Sequence, residues 1–201
     1  MEAPSARSAD FFSFLGLSRK LNVDMPDLEQ RYRALSRQFH PDYFYNAPPA
    51  ERRASLERSS YLNDAYRTLR HPAARIEYLL KLEGFGGKGP DEAATRHVPP
   101  ALLEEVFALN EELDEIRAMR EGGAAAAQWT LRLERARQPI EAKRADHEAQ
   151  LERLTFEWDA AIDRRASEAE RQHILQALAE RVLERNYINN LLAGIERELA
   201  Q

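Results

Sequence analysis

A chain of 201 residues with 43% hydrophobic and 31% charged side chains can bury the core of one or two domains. Its formal net charge of -5 argues against general nucleic-acid binding, and no apolar run is long enough to span a membrane. The absence of cysteine removes disulfides, thiolate nucleophiles and thiolate metal sites.

The first residues, MEAPSARSAD, lack the apolar core of a secretory signal, so a cytoplasmic protein with no membrane contact is expected. Strand-type alternation is nearly absent, and the expected fold is all-α. Residues 1–8 read as a frayed tail. Asp10 is placed to cap a short helix carrying Phe11, Phe12 and Leu15, with Gly16 ending it. Asp24 should cap a second helix, with Pro26 tolerated in its first turn. The stripe Leu28, Tyr32, Leu35, Phe39 has the 4-3-4 spacing of a helix with one buried face. Arg33 and Arg37 lie one turn apart on another face. Three arginines and no acid stand between Gln30 and Phe39.

This basic helix must stop at His40-Pro41-Asp42. Pro41 pushes His40 out of α geometry, and Asp42 favours a turn, so a short, stiff, exposed loop should follow. The tripeptide alone is only a helix stop, as His71-Pro72-Ala73 illustrates further along. Its context is more telling, because Pro48-Pro49 leads into another amphipathic helix over about 50–70. The face of that helix, Leu62, Tyr66 and Leu69, should pack antiparallel against Leu28, Tyr32 and Leu35. His71-Pro72 ends it, and a short helix follows with Ile76, Leu79 and Leu80 facing in. Residues 83–100 hold Gly84, Gly86, Gly87, Gly89, Pro90, Pro99 and Pro100, a linker composition. The run GFGGKG lacks the Lys-Ser/Thr pair and the preceding strand of a phosphate loop and reads as a turn.

Beyond the linker, a helix over about 102–121 carries Leu102, Leu103, Val106, Phe107, Leu109, Leu113 and Ile116. That stripe is too wide for one packing seam, so part of it should face solvent or a partner. Seven acids and two arginines between Glu104 and Glu121 make its polar face acidic. Gly122-Gly123 ends it. A long seam then runs Trp129, Leu133, Ala136, Ile140, Lys143, His147, Leu151, Leu154, Trp158, Ile162, the pattern of an antiparallel helical hairpin. Pro139 is expected to interrupt and kink this helix. Ser167 and Glu170 form a capping box for a last helix carrying Ile174, Leu175, Leu178, Val182, Ile188, Leu192, Ile195 and Leu199. The second half therefore reads as a three-helix bundle.

No catalytic constellation emerges. None of the five histidines pairs with another at i, i+4, and His147, on the apolar seam, reads as a core residue. The serines lack a nucleophile-elbow setting. The chain is not expected to be an enzyme or to carry a cofactor or metal.

The segment LEQRYRALSRQFHPDYF, with a helix on either side of its His-Pro-Asp turn, resembles the J-domain of DnaJ-like co-chaperones, which activates heat-shock-70-class ATPases. DFFSFLGL, LNDAYRTLRHPAARIEYLLKLEG and the acidic EELDEI extend the resemblance, from Asp10 to about Leu199, to the HscB family. The first two-fifths carry the specific motifs, and the bundle is similar mainly in pattern. No glycine/phenylalanine-rich region or cysteine-rich zinc module follows, unlike general DnaJ proteins. The resemblance implies a J-domain at 9–83, a linker at 84–99 and a scaffold-binding bundle at 100–201. It implies an HscA-like chaperone met by His40, Pro41, Asp42, Arg33 and Arg37. It also implies that the bundle binds IscU, the iron–sulfur scaffold, through Leu102, Leu103, Val106, Phe107, Glu111 and Tyr187. Pro99-Pro100-Ala101 leave the register at the start of that patch open by one residue. The same J-domain with another client, or with a bundle used for dimerisation, is the alternative.

Overall fold

The structure, a computed structural model, describes residues 10–85 and 100–200, and side chains from residue 103 onward in the second stretch. The expected tail at 1–8 and nearly all of the expected linker lie outside the described residues. Every regular element among the described residues is helical, so the fold is all-α.

The first elements begin and end where side chains can satisfy their terminal backbone groups. Asp10 accepts the Ser13 N–H at 2.9 Å and caps α1, Phe11–Phe14. Gly16, at φ +67°, turns the chain away, and a Cβ there would lie 2.9 Å from the Arg31 guanidinium. Asp24 caps α2, Met25–Phe39, by accepting the Asp27 N–H. Pro41 forces His40 to an extended ψ of 127°, so α2 stops and a 3-10 turn, Pro41–Phe44, follows. Helices α3, Pro49–Arg70, and α4, Pro72–Leu82, complete this half. Leu28 and Phe39 are buried from α2, whereas Tyr32 and Leu35 are half-buried. The Tyr32 ring stacks on Tyr66 at 4.2 Å, and its hydroxyl donates to Asn63 at 2.9 Å. Nearer the turn, the buried Ser55 hydroxyl donates to the Phe39 carbonyl at 2.8 Å. These contacts, 32 with 63 and 66 and then 39 with 55, make α2 and α3 an antiparallel hairpin.

Three helices follow: α5, Pro100–Glu121; α6, Ala126–Asp163; and α7, Glu168–Leu199. Ser167 accepts the Glu170 N–H at 3.3 Å, one half of the capping box. The Glu170 carboxylate turns to Arg164 instead. Helix α6 is not divided at Pro139. That residue is exposed, as is Arg135, whose carbonyl loses its usual partner there.

Grouped by contacts, the chain forms two compact units: Met1–Gly86 with Leu154–Gln176, and Gly87–Arg153 with Ala177–Gln201. This division follows packing rather than chain order, since residues 154–176 group with the N-terminal hairpin. The cause is a set of polar bonds inside the first unit. The buried Asp159 carboxylate accepts the backbone N–H groups of Leu21 at 2.6 Å and Asn22 at 2.8 Å. The Trp158 indole N–H donates to the Arg19 carbonyl at 2.7 Å, and Lys20 pairs with Asp163 at 2.6 Å. Arg75, also buried, donates to the carbonyls of Leu69 and Leu21. Burial pushes its pKa down, and the Asp159 charge acts in the opposite direction.

The second unit is a three-helix core. Leu109, Leu113 and Ile116 of α5 meet Leu133 of α6 and Leu191 and Ile195 of α7. Arg132 bridges α6 to Glu112 and Glu115 of α5, and Lys143 reaches Glu105. His147 is buried, and its Nε2 donates to the Arg181 carbonyl at 2.7 Å, the role of a core residue. On α7, the buried Glu198 takes Arg117 at 2.6 Å and Arg120 at 3.2 Å from α5.

Two outcomes are expected. Asp159→Ala leaves two backbone donors unmet, at a cost of about 2–3 kcal/mol measured by urea denaturation. Glu198 is held below its ordinary pKa of 4.5, chiefly by the hydrogen bond from Arg117. Its contribution to stability is therefore complete above pH 4.5 and is lost as pH falls through the depressed folded value. Glu198→Gln should flatten that acid limb in unfolding curves collected across pH.

Candidate functional site

The exposed turn follows from two local facts. Proline cannot continue α2, and the backbone closes on itself immediately afterwards. Tyr43 N–H donates to the His40 carbonyl at 3.1 Å, Tyr45 N–H to that of Asp42 at 3.4 Å, and Ala47 N–H to that of Phe44 at 3.0 Å. The His40 ring accepts the Asp42 N–H through Nδ1 at 3.3 Å, which requires that nitrogen to be unprotonated. The backbone of the turn is thus held by its own hydrogen bonds. Its side chains are not: the Asp42 side chain is 87% exposed and that of His40 is 50% exposed. The Asp42 carboxylate stands 3.5 Å from His40 Nδ1, and no arginine or lysine pairs with it among the described residues.

The three arginines of α2 have different fates. Arg31 turns back, pairs with Asp27 at 2.9 Å and donates to the carbonyls of Leu15 and Gly16. It is a brace for the bend after α1. Arg33 is exposed and pairs with Glu29 at 2.6 Å. Arg37 is exposed and makes no ion pair among the described residues. With Ser36, His40, Asp42 and Tyr43 it lines a shallow depression of about 230 Å³. The expected basic face is therefore reduced to one free guanidinium next to the turn.

In the second unit the apolar stripe of α5 divides. Leu103 and Phe107 point outward, 42% and 68% exposed, with Glu111 exposed one turn further on. Val106 turns inward, half-buried against the Leu109–Leu113 core. The side chain of Leu102 lies outside the described residues. Helices α5 and α7 run parallel: Leu113 lies against Gly194, and Arg117 pairs with Glu198. Stepping back two turns in this register puts the half-buried Tyr187 at the level of Val106 and Phe107. Five of the expected patch residues, Leu103, Val106, Phe107, Glu111 and Tyr187, are thus open to solvent at least in part.

Two exposed aromatics at the turn are not among the site residues expected from the sequence. Tyr43 and Tyr45 are 74% and 78% exposed. Their only sequence signal is an aromatic pair directly after a helix stop, where no amphipathic periodicity exists to assign a face.

A carboxylate, an imidazole and a guanidinium stand in a solvent-open depression. Among the described residues, no group of three or more His, Asp or Glu could hold a metal ion, and no helix is long and apolar enough to cross a membrane.

No family model matches the chain. Two solved structures are similar to it over nearly its whole length. The crystal structure of human co-chaperone protein HscB has a TM-score of 0.63 and 26% identity, covering 98% of this chain and 85% of the human one. Chaperone HscB from Vibrio cholerae has a TM-score of 0.61 and 26% identity, covering 96% of this chain and 99% of that one. With its His-Pro-Asp turn exposed between two antiparallel helices and this likeness covering nearly the whole chain, the chain is HscB-like, similar in fold to these HscB co-chaperones.

Proposed function

We propose that this protein is a co-chaperone of iron–sulfur cluster assembly that stimulates the ATPase of a heat-shock-70-class, HscA-like chaperone and brings the scaffold IscU to it in the cytoplasm. The division of labour is a J-domain at 9–83, a linker at 84–99 and a scaffold-binding bundle at 100–201. The observation that carries the reading is the Asp42 carboxylate, exposed on a turn whose backbone is held by hydrogen bonds of its own. A group held this way loses little entropy on binding.

An adaptor of this kind performs no covalent chemistry. It accelerates the ATPase only through contacts stronger in the hydrolysis-competent state or its transition state than elsewhere. A charge-assisted hydrogen bond to Asp42 is worth about 1.5–3 kcal/mol, roughly ten- to a hundred-fold in rate if made only there. His40 and Pro41 fix the backbone from which the carboxylate projects. Arg37, with the partly neutralised Arg33, orients the encounter with an acidic surface. The scaffold would meet Leu103, Phe107, Glu111 and Tyr187, with the half-buried Val106 beside them and Leu102 as a contact expected from the sequence alone. Cluster ligands are usually thiolates, and this chain has none, so it recognises the scaffold's surface rather than the cluster.

His40→Gln and Asp42→Asn should each abolish stimulation of the chaperone's ATPase in steady-state assays, with the melting temperature unchanged because neither side chain is packed in the core. A loss of helicity in either variant would remove the turn from the mechanism. Leu103→Ala combined with Phe107→Ala should weaken scaffold binding by about ten- to a hundred-fold in titration calorimetry, while scaffold-free stimulation stays at the level of the unaltered protein. Unchanged scaffold affinity would place the client elsewhere.

A further inference from the structure

Tyr43 and Tyr45 are the two most exposed large apolar side chains among the described residues, and they stand on either side of the half-buried Phe44. Exposure alone would mean little for a single tyrosine. Two on one rigid turn differ from that case. The backbone N–H of each is hydrogen-bonded within the turn, so both Cα positions are fixed before any partner arrives. The Tyr43 ring lies 6.1 Å from the His40 ring at 71°, an edge-to-face arrangement, and it forms one wall of the depression shared with Arg37 and Asp42. Tyrosines with few rotatable bonds, set beside a free arginine, are the residue types that dominate binding energy at protein interfaces.

The surroundings indicate the kind of partner. Arg37 on one side and Arg52 and Arg53 at the start of α3 are exposed, against Asp42 and Glu51, so this end of the hairpin carries an excess of positive charge. A second copy of the chain would bring like charges together on this face, which disfavours self-association. A membrane surface would meet the carboxylate of Asp42 along with the aromatic rings. A folded protein surface with an acidic rim and an apolar centre fits all of these groups at once.

We propose that Tyr43 and Tyr45 form an aromatic rim that sets how tightly the activating turn holds its ATPase partner, separately from the stimulation carried by Asp42. This rests on the function proposed above, in which that partner is a heat-shock-70-class chaperone. The rings supply uniform binding, equal in the resting and hydrolysing states, and so change the concentration needed rather than the maximal rate.

The test is a titration of the cognate chaperone's ATPase with the full chain. The unaltered protein and Asp42→Asn report on the function itself: no stimulation by the former would overturn that reading, whatever the tyrosines do. With stimulation present, Tyr43→Ala combined with Tyr45→Ala should raise the half-saturating concentration about tenfold at an unchanged maximum. Tyr43→Phe should behave like the unaltered protein. Helicity and melting should not move, since neither ring is in the core. An unchanged half-saturating concentration in the double alanine variant would overturn the rim. So would a loss confined to self-association in sedimentation, or to binding of anionic phosphatidylserine vesicles.

Discussion

The first unit depends on one buried carboxylate. Asp159 holds two successive backbone N–H groups, those of Leu21 and Asn22, in the connection between α1 and α2. That connection has no regular structure of its own, and its inward-facing amides would otherwise be left without partners. Trp158 takes the Arg19 carbonyl from the same helix, and Arg75 takes the carbonyl of Leu21 from the other side. The loop is thereby satisfied on both its donors and its acceptors. The start of α2 follows from it, and with α2 comes the position of the turn fifteen residues later.

The molecule shows a contrast between satisfied and unsatisfied polar groups. Among the described residues, side chains meet several of these groups: Asp10 caps α1, Ser55 donates to the Phe39 carbonyl, and the buried Glu198 pairs with Arg117 and Arg120. At the turn that follows α2 the pattern reverses. The backbone N–H groups of Asp42, Tyr43, Tyr45 and Ala47 are bonded within the turn, but the side chains of Asp42, Tyr43 and Tyr45 reach outward. Solvating a carboxylate is cheap, whereas exposing two tyrosines forgoes burial of apolar surface. The stability forgone at the turn is consistent with a surface kept for contact with another molecule.

Local signals made most of this legible from residue order. Helix limits followed the capping residues Asp10, Asp24 and Ser167 and the stops at Pro41 and Pro72, because those effects act within a turn of the chain. Leu62, Leu69, Ile76 and Leu79 were recognisable as core by periodicity. The roles of Asp159 and Trp158 were not: their partners lie 138 and 139 residues away, and periodicity cannot report a bond over that distance. On α5, adjacent positions 106 and 107 are both apolar, so a wide stripe could not tell the half-buried Val106 from the exposed Phe107. The pairing of Arg31 was recoverable from Asp27 four residues earlier, yet a count of positive charges along α2 passes over it.

That pairing has a consequence for kinetics. Of three guanidinium groups on α2, one is consumed in bracing the bend after α1 and a second is offset by Glu29. Long-range attraction from this helix is then closer to that of a single free cation than of a polybasic rod. Added electrolyte should erode its capture rate only gently, and docking here would rely on short-range fit more than on a far-reaching field.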